Sequence, residues 1–305
     1  MRNKTLIFIM ISCLTMSSCG VVRLRNSPVY HAGPPYKEGY EHKGIVEEVN
    51  YDCSVPGPTQ RRMIVYLPPD YYQSPHKRYP VFYLLHGARG YETSWIQKGF
   101  VFESTDSLLA GGYAEPCILV MPNVNQYNDD KDFDKSRFKD ALESIFEVDG
   151  TVESAFVRDV VHLVDSLYRT IPDKEHRAVA GLSIGGYQSI YFGANHPDVF
   201  GYIGAFSPYM WSMSRPNAYR RAFYGRFRKK LRLQYAGVHP PKGYYLYAGK
   251  WDIMHPSKNH LHKHMKRKGY PHDYTVYPGS HDWKNGWIEE YQDMLQRVFK
   301  EQNLQ

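Results

Sequence analysis

Residues 181–186 read Gly-Leu-Ser-Ile-Gly-Gly and contain the pattern Gly-x-Ser-x-Gly. A short apolar run precedes the pattern and a helical stretch over residues 187–195 follows it. In this strand–turn–helix context Ser183 is predicted to be a nucleophile that points out at a sharp turn. Glycine is needed on either side, because side chains at positions 181 and 185 would collide with neighbouring backbone. The N–H groups at the start of the helix favour developing negative charge. The alternative is a turn that carries the pattern by chance.

A serine hydroxyl is a weak nucleophile until a base takes its proton. Asp252 and His281 each follow a predicted apolar strand, and the order Ser, acid, His is the order found in α/β-hydrolases. We expect His281 to accept the Ser183 proton, and Asp252 to fix the His281 tautomer and stabilise its cation. Asp273 and Asp282 are the weaker alternatives to Asp252.

Acyl transfer places negative charge on a carbonyl oxygen, and each preorganised N–H donor there is worth about 3–4 kcal/mol. The N–H of Ile184, directly after the nucleophile, is one predicted donor. The second is the N–H of Ala88, in the segment His-Gly-Ala-Arg-Gly at residues 86–90, which follows an apolar strand. The alternative interpretation of that segment is a turn that only ends the strand.

We predict no metal site. His260, His262 and His264 recur every two residues, which does not line one face of a helix, so they are interpreted as a solvated face. The chain has no Cys-x-x-Cys pair, which makes a structural zinc site improbable. Cys53 and Cys117 are the cysteines of the main body, and a disulfide between them and two free thiols are both open.

Strand and helix patterns alternate from residue 44 onward. Strands are predicted at residues 45–51, 62–67, 81–85, 117–121, 178–181, 202–206, 244–247 and 274–277, and helices at residues 155–168, 187–195, 257–268 and 287–300. This alternation indicates an α/β fold with a mostly parallel central sheet and helices on both faces. The acidic segment 122–150 and the basic segment 208–243 are interpreted as loops that border the site, with surface decoration as the alternative.

The composition is that of a globular protein. The chain has 305 residues, 42% of them hydrophobic, 23% charged and 15% aromatic. These values exclude a disordered chain, a collagen-like fibre and a small disulfide scaffold. The formal net charge is +7.

The first residues resemble a lipoprotein-type signal peptide over residues 1–18. Arg2 and Lys4 precede an apolar run that is too short to span a bilayer, and small residues precede Cys19. We therefore expect export to the cell envelope, periplasm-facing or at the surface, with a lipid on Cys19 as the only membrane contact. Residues 19–43 would be a tether and residues 44–305 the catalytic domain. The alternative is simple cleavage near Ser18, with Cys19 incidental.

Seven short segments resemble the esterase D / feruloyl esterase family of α/β-hydrolases, which is like carbohydrate esterase family 1. They are residues 79–87, 95, 118–123, 177–186, 196–201, 206–207 and 281–283. They keep the family's order across about residues 44–300. The resemblance implies Ser183, Asp252 and His281 as a catalytic triad, Ala88 and Ile184 as oxyanion donors, no metal or organic cofactor, and an acyl-enzyme on Ser183.

The resemblance also suggests a substrate class. Members of the family remove feruloyl or acetyl groups from plant polysaccharides, so we expect an ester on a carbohydrate or a phenolic small molecule. Trp95, Tyr209, Trp211 and Trp251 offer flat faces for such rings. Packing in the core or in a lid is the alternative for each of the four.

Other functions stay open at this stage. The basic balance fits the anionic catecholate substrates of siderophore esterases, which share the family. Acyl transfer to a sugar instead of water is a further possibility. A non-catalytic binding lipoprotein on the same scaffold is the alternative from a different class. Nucleic acid is not an expected partner, and the sequence leaves the oligomeric state undetermined.

Overall fold

The computed structural model describes residues 21–24, 43–54, 60–88, 90–124, 155–209, 218–237 and 240–300. These residues form one nine-stranded sheet with the order β1-β9-β8-β7-β6-β4-β5-β3-β2. The strands are β1 (Val21–Leu24), β2 (Ile45–Asp52), β3 (Gln60–Leu67), β4 (Val81–Leu85), β5 (Ile118–Pro122), β6 (Arg177–Leu182), β7 (Tyr202–Phe206), β8 (Gly243–Gly249) and β9 (Asp273–Tyr277). Strand β3 runs antiparallel to both β2 and β5, whereas every other pair is parallel. The predicted mostly parallel α/β sheet is confirmed.

Helices cover both faces of the sheet. They are α1 (Ser94–Gln97), α2 (Val101–Ala110), α3 (His162–Leu167), α4 (Ile184–Asn195), α5 (Ala218–Ala236), α6 (His255–Lys268) and α7 (Ile288–Leu295). A π-helical turn at Val157–Val161 leads into α3, and another at Trp283–Trp287 leads into α7. Apolar side chains of α3 to α6 belong to one buried cluster, and those of α2 and α7 belong to a second cluster across the sheet.

The burial of the central strands explains why they are continuous apolar runs in the sequence. Every residue of β4, β5, β6 and β7 is buried, as a strand covered on both faces requires. Along β4, Val81, Tyr83 and Leu85 face the first cluster. Phe82 and Leu84 face the second. The loops that carry chemistry therefore leave the carboxyl edge of a rigid, fully packed sheet.

The basic segment is not a loop throughout, because residues 218–236 form the 19-residue helix α5. Phe227 and Leu231 lie one helical turn apart and are buried, and Phe227 stacks on Tyr191 of α4 with ring centroids 5.3 Å apart. Gln234 donates a side-chain hydrogen bond of 2.9 Å to the Gly193 carbonyl. Abundant Arg and Lys hide this sparse apolar stripe in the sequence. The part of the acidic segment from residue 125 to 150 lies outside the described residues.

The proposed tether also differs from the structure, at residues 21–24. These residues form β1 and pair in parallel with β9, with Val21 opposite Asp273. The edge of β9 offers unpaired backbone groups, and an adjacent extended segment satisfies them. Residues 1–18, Cys19 and the rest of the tether up to residue 42 lie outside the described residues. Within the described chain, no helix has the length and apolarity needed to cross a bilayer.

Candidate active site

Ser183 lies at the sharp turn between β6 and α4. Its backbone has φ +54° and ψ −113°, a conformation that L-residues rarely adopt. Three backbone hydrogen bonds hold the turn: Ser183 N–H donates to the Phe206 carbonyl over 2.9 Å, and the Ser183 carbonyl accepts from the N–H groups of Tyr187 at 3.1 Å and Tyr209 at 2.8 Å. The hydroxyl is therefore carried by a backbone bound to the end of β7.

The turn requires glycine at two positions, one on each side of the nucleophile. A Cβ atom at position 181 would lie 2.6 Å from the carbonyl carbon of Gly185, and a Cβ at position 185 would lie 2.4 Å from the His86 oxygen. Both distances are far below a van der Waals contact. The predicted steric need for glycine at 181 and 185 is confirmed.

The structure brings Ser183, Asp252 and His281 together. His281 Nε2 lies 3.1 Å from Ser183 Oγ, and His281 Nδ1 lies 3.1 Å and 3.2 Å from the two Asp252 oxygens. Because a carboxylate only accepts hydrogen bonds, Nδ1 carries the proton and Nε2 presents its lone pair to the serine hydroxyl. This is the arrangement in which an imidazole can act as a base.

The surroundings favour this pairing. Asp252 is 3% exposed, and its Oδ1 accepts a 2.6 Å hydrogen bond from the Met254 N–H. The side chain of His281 is 19% exposed, so solvent reaches the imidazole but not the carboxylate. The two alternatives to Asp252 have other partners: Asp273 pairs with Arg297, and Asp282 accepts from the Ser280 hydroxyl.

Backbone bonds fasten together the loops that hold Asp252 and His281. Lys250 N–H donates to the Tyr277 carbonyl over 2.8 Å, and Trp251 N–H donates to the Gly279 carbonyl over 3.0 Å. The approach is so close that a Cβ at position 249 would lie 2.6 Å from the Gly279 oxygen. The acid and the base are thus held by neighbouring strand ends and not by independent loops.

The loop after β4 approaches Ser183 from the other side. His86 is buried, its Nδ1 lies 2.8 Å from the Gly87 carbonyl, and the Val124 N–H donates to its Nε2 over 3.1 Å. Burial lowers the His86 pKa to about 4, so the ring is neutral at pH 7 and stiffens the loop. A Cβ at position 87 would lie 3.6 Å from the Ser183 Cβ.

Ala88 and Ile184 flank this approach. Ala88 directly follows Gly87, in the loop that reaches the nucleophile. Ile184 is the first residue of α4, where backbone N–H groups have no partner inside the helix. Their roles as oxyanion donors stay a prediction.

The aromatic residues predicted to contact substrate differ in how far they are exposed. Trp95 is 0% exposed, and its indole N–H donates to the Leu85 carbonyl over 3.0 Å, so Trp95 as a substrate contact is wrong. Its large apolar ring packs in the core against Phe206. Tyr209 is half-buried beside Ser183 and Trp251 is 65% exposed. Trp211 lies outside the described residues.

Sequence reasoning did not identify Trp287 as part of the site. Its ring meets His281 edge-on, with centroids 4.9 Å apart and an interplanar angle of 84°. Trp283, one helical turn earlier, contacts both Trp287 and Trp95. The signal in the sequence is a pair of tryptophans four residues apart, directly after the predicted base. It would have indicated that these rings pack beside His281.

Several of the described cysteines and histidines outside the triad are buried. Cys53 and Cys117 are free thiols, and burial raises the pKa of Cys117. The described residues contain no group of three potential metal ligands. His262 and His264 are each 6% exposed, so their assignment to a solvated face is wrong, whereas His260 is exposed. The two-residue spacing around a helix turns these side chains in different directions.

The chain matches the family described as "Putative esterase" over residues 57–298, which is most of its length. The chain belongs to this esterase family. The family assignment confirms the predicted resemblance and supports the predicted class of enzyme, a carboxylic ester hydrolase.

Relatives of this esterase include feruloyl esterases. The endo-1,4-beta-xylanase/feruloyl esterase of Xylanibacter ruminicola is 31% identical over 175 residues, which are 56% of this chain and 22% of the relative. Esterase Rv1288 of Mycobacterium tuberculosis is 29% identical over 155 residues, 51% of this chain and 29% of the relative. This chain therefore spans less than a third of the length of either relative.

Solved structures confirm the α/β-hydrolase fold. A ferulic acid esterase superposes with a TM-score of 0.65 and 26% identity, covering 84% of this chain and 97% of that chain. The enterobactin esterase of Shigella flexneri superposes with a TM-score of 0.63 and 17% identity, covering 83% of this chain and 58% of that chain. The second likeness concerns the fold alone.

Proposed function

We propose that this esterase cleaves carboxylic esters through an acyl-enzyme on Ser183. The observation that carries the proposal is the continuous contact from Ser183 Oγ through His281 to the buried Asp252. A hydroxyl, a base and a buried anion in that order can remove the serine proton as the oxygen attacks. The strained backbone at Ser183 holds the oxygen at the tip of the turn.

In the first half-reaction Ser183 Oγ attacks the ester carbonyl carbon, and its proton passes to His281 Nε2. The carbonyl oxygen becomes an anion, which we assign to the N–H groups of Ile184 and Ala88. When the intermediate collapses, the bond to the alcohol oxygen breaks and the imidazolium gives that oxygen its proton. Asp252 stabilises the imidazolium throughout this sequence.

In the second half-reaction water replaces the alcohol. His281 Nε2 takes one proton from the water as its oxygen attacks the acyl carbon. Collapse of the second intermediate breaks the bond to Ser183 Oγ, which regains a proton from His281, and the carboxylic acid leaves. No metal or organic cofactor enters any step, because each proton moves between groups of this chain, the ester and water.

We assign the substrate to feruloyl or acetyl esters of plant polysaccharides or oligosaccharides. The support is the relative from Xylanibacter ruminicola, an endo-1,4-beta-xylanase/feruloyl esterase, and the likeness to a ferulic acid esterase. The pattern of residues 1–19 supports export and a lipid on Cys19, which would place the enzyme where polymer fragments arrive. The basic composition favours a second candidate, an anionic catecholate ester.

The test of the reaction is hydrolysis of p-nitrophenyl acetate by purified wild type and Ser183→Ala. Removing the nucleophile should lower kcat by at least about 10³-fold, because the three side chains act as a unit. Thermal unfolding of both proteins checks that the variant is folded. Equal rates for the two folded proteins would remove the mechanism and favour a non-catalytic binding protein.

A substrate panel then separates the candidates. Methyl ferulate, feruloylated arabinoxylan oligosaccharides, acetylated xylan and a catecholate trilactone are compared by kcat/KM. The proposal expects the feruloyl or acetyl saccharide esters to have the highest values. A catecholate trilactone that exceeds them would select the second candidate. Product analysis with an added sugar acceptor detects acyl transfer in place of hydrolysis.

Trp251 provides a test of the saccharide part of the assignment. Trp251 directly precedes Asp252 after β8 and its ring is 65% exposed, so it is accessible to a substrate that extends beyond the ester group. Trp251→Ala should lower kcat/KM for a feruloylated oligosaccharide by roughly 2- to 13-fold, given about 0.5–1.5 kcal/mol for a lost aromatic contact. The value for methyl ferulate should change by less than about twofold.

Tyr72→Ala is the matched control for Trp251. Tyr72 is 60% exposed, but it precedes β4 and therefore lies at the opposite edge of the parallel sheet. Neither ester should respond to this change. An equal loss on the oligosaccharide from both variants, or none from either, would contradict a saccharide contact at Trp251.

A further inference from the structure

Glu290 is a buried carboxylate that the proposed mechanism does not use. It lies in α7 and is 1% exposed, whereas the adjacent Glu289 is half-buried. Removing a carboxylate from water is costly unless nearby groups bind it, so a buried acid close to a reaction site points to a role for its charge or its bonds.

Two hydroxyl side chains face this carboxylate. Ser207 Oγ donates to Glu290 Oε1 over 3.3 Å, and both residues are buried. The Tyr277 hydroxyl lies beside the same carboxylate, and burial together with Glu290 raises the pKa of Tyr277. A Cβ at position 286 would lie 2.6 Å from the Tyr277 hydroxyl, so Gly286 leaves the space that this hydroxyl fills.

Both hydroxyls belong to segments that hold the site. Ser207 directly follows Phe206, whose carbonyl accepts the N–H of Ser183. Tyr277 ends β9, four residues before His281. One carboxylate therefore links the backbone next to the nucleophile with the strand that leads to the base.

A third connection runs through the helix itself. Glu290 follows Trp287 by three residues, which is one helical turn. The Trp287 ring meets the His281 imidazole edge-on at 4.9 Å. Any movement of α7 that breaks the Glu290 contacts also moves this ring against the base.

We propose that Glu290 is a positioning residue, whose buried carboxylate holds Ser183 and His281 in register and contributes negative charge to the site. The proposal rests on the proposed function, because it assigns Glu290 a role in that reaction. The Ser207 hydroxyl donates to this carboxylate, which favours its ionised form. Glu290 and Asp252 both act electrostatically on the Tyr277 hydroxyl, so an ionised Glu290 would supplement Asp252 in stabilising the imidazolium.

The experiment compares wild type, Glu290→Gln and Glu290→Asp, each as the full chain, with Glu289→Gln as the matched control. Glu290→Gln keeps the shape and removes the charge. It should lower kcat for p-nitrophenyl acetate roughly 10- to 100-fold with KM changed less than about threefold, as expected when reacting groups lose their alignment. The acid limb of the kcat/KM pH profile should move to lower pH.

The other variants separate charge from general stability. Glu290→Asp restores the charge at a shorter reach, so it should return the acid limb towards the wild-type position while kcat stays below wild type. Glu289→Gln should match wild type in both measurements. A folded Glu290→Gln with wild-type kcat and pH profile would overturn the proposal, as would a loss that Glu290→Asp and Glu290→Gln share without any change in the profile.

A readout without substrate distinguishes this proposal from the proposed function. NMR titration of the His281 ring protons should show protonation at lower pH in Glu290→Gln than in wild type, even if no tested ester is cleaved. An unchanged titration would count against the charge effect. If Glu290→Gln does not fold, Ser207→Ala removes one of its donors. A kcat and titration identical to wild type in that variant would also overturn the proposal.

Discussion

The candidate nucleophile and a neighbouring serine both have positive φ. Ser183 has φ +54° and Ser207 has φ +45°, and each follows one of the adjacent strands β6 and β7. The hydrogen bond from Ser183 N–H to the Phe206 carbonyl joins the two turns. Such conformations cost about 1–3 kcal/mol each and persist only where the surroundings enforce them. Here the enforcing elements are two fully buried strands.

Gly185→Ala is the residue-scale prediction, because a single methyl group tests this enforced turn. The new Cβ would meet the His86 carbonyl oxygen at 2.4 Å and the Leu85 oxygen at 2.8 Å, and neither backbone can move freely. We expect a loss of roughly 2 kcal/mol or more in the free energy of unfolding and a loss of most esterase activity, as for overpacking in a core. Chemical denaturation and p-nitrophenyl acetate hydrolysis measure the two effects.

Gly225→Ala is the control for that change. Gly225 lies within α5 and is exposed, and among the described residues an added Cβ would meet no atom within 4 Å beyond the backbone of its own helix. Alanine should stabilise this helix position by about 0.5–1 kcal/mol. A Gly185→Ala protein as stable and active as wild type would show that the turn is more adaptable than its contacts indicate.

At the residue scale, the sequence predicts local motifs more reliably than it predicts which side chains are buried. Ser183 was identifiable because glycines lie two residues before and two residues after it, and the steric clash that they avoid arises within the same turn. Asp252 and His281 followed from their places after strands. Trp95 was misassigned because an aromatic ring suits both a core and a sugar platform, and only the packing around it distinguishes the two uses.

At the element scale, predictability follows how completely an element is buried. Strands β4 to β7 are continuous apolar runs because both faces are covered, and their predicted bounds agree with the structure within one residue at each end. Helix α5 buries only a narrow stripe of apolar side chains among many Arg and Lys residues. Its sequence therefore does not show the helical period of apolar residues. Helices α1 and α2 were not predicted either, and α1 has only one turn.

Helix α6 shows how an element can carry charge-sensitive residues into the core. His262 Nδ1 lies 2.9 Å from His272 Nε2, and His272 Nδ1 lies 2.7 Å from the Tyr270 carbonyl. Because that carbonyl only accepts, His272 Nδ1 holds a proton and its Nε2 accepts from His262. The His262 ring also stacks on Tyr274 with centroids 4.3 Å apart. Burial lowers the pKa of both imidazoles, which favours the neutral rings that this arrangement requires.

Acid should weaken this contact between α6 and β9. Burial, followed by His272 and nearby lysines, lowers the His262 pKa from 6.5 to about 4. Between these values the unfolded chain binds the proton and the folded chain does not, so stability is present above pH 6.5 and is lost as pH falls towards 4. The melting temperature of the wild type should decline from pH 7.5 to pH 5.

The variant His262→Gln isolates the contribution of this group. Removing one titrating ring should reduce the decline in melting temperature by about 2 °C or more, the shift expected for roughly 1 kcal/mol in a domain of this size. His76→Gln, at an exposed histidine, should leave the wild-type decline intact. Identical declines in all three proteins would mean that His262 does not titrate differently on folding.

At the scale of the whole molecule, one sheet edge collects groups that are far apart in the chain. Ser183 and His281 are 98 residues apart, and the parallel order β8-β7-β6 brings their loops to the same edge. The sequence predicted this convergence in outline, because parallel strands separated by helices always present their carboxyl ends together. It did not predict β1, since pairing with β9 depends on an edge that exists only in the assembled sheet.

The net charge of the whole chain gives a prediction that discriminates between the two substrate candidates. The formal net charge is +7, and it falls to +5 if cleavage removes Arg2 and Lys4. Lys250 and Lys284 are exposed in or next to the loops of Asp252 and His281, so two of the cations lie close to the site in the chain. The kcat/KM for an anionic catecholate ester should fall several-fold between about 20 and 500 mM NaCl, while that for neutral methyl ferulate changes little.

Variants that each remove one positive charge show which lysines attract the anionic ester. Lys250→Gln should reduce both the low-salt kcat/KM and its salt dependence for the anionic ester, because the lost charge is near the site. Lys77→Gln removes the same charge from the segment before β4, at the opposite sheet edge, where Lys77 pairs with Asp70. Equal effects from both variants would mean that net charge alone attracts the ester. A wild type indifferent to salt with both esters would remove the electrostatic argument for an anionic substrate and leave the saccharide ester.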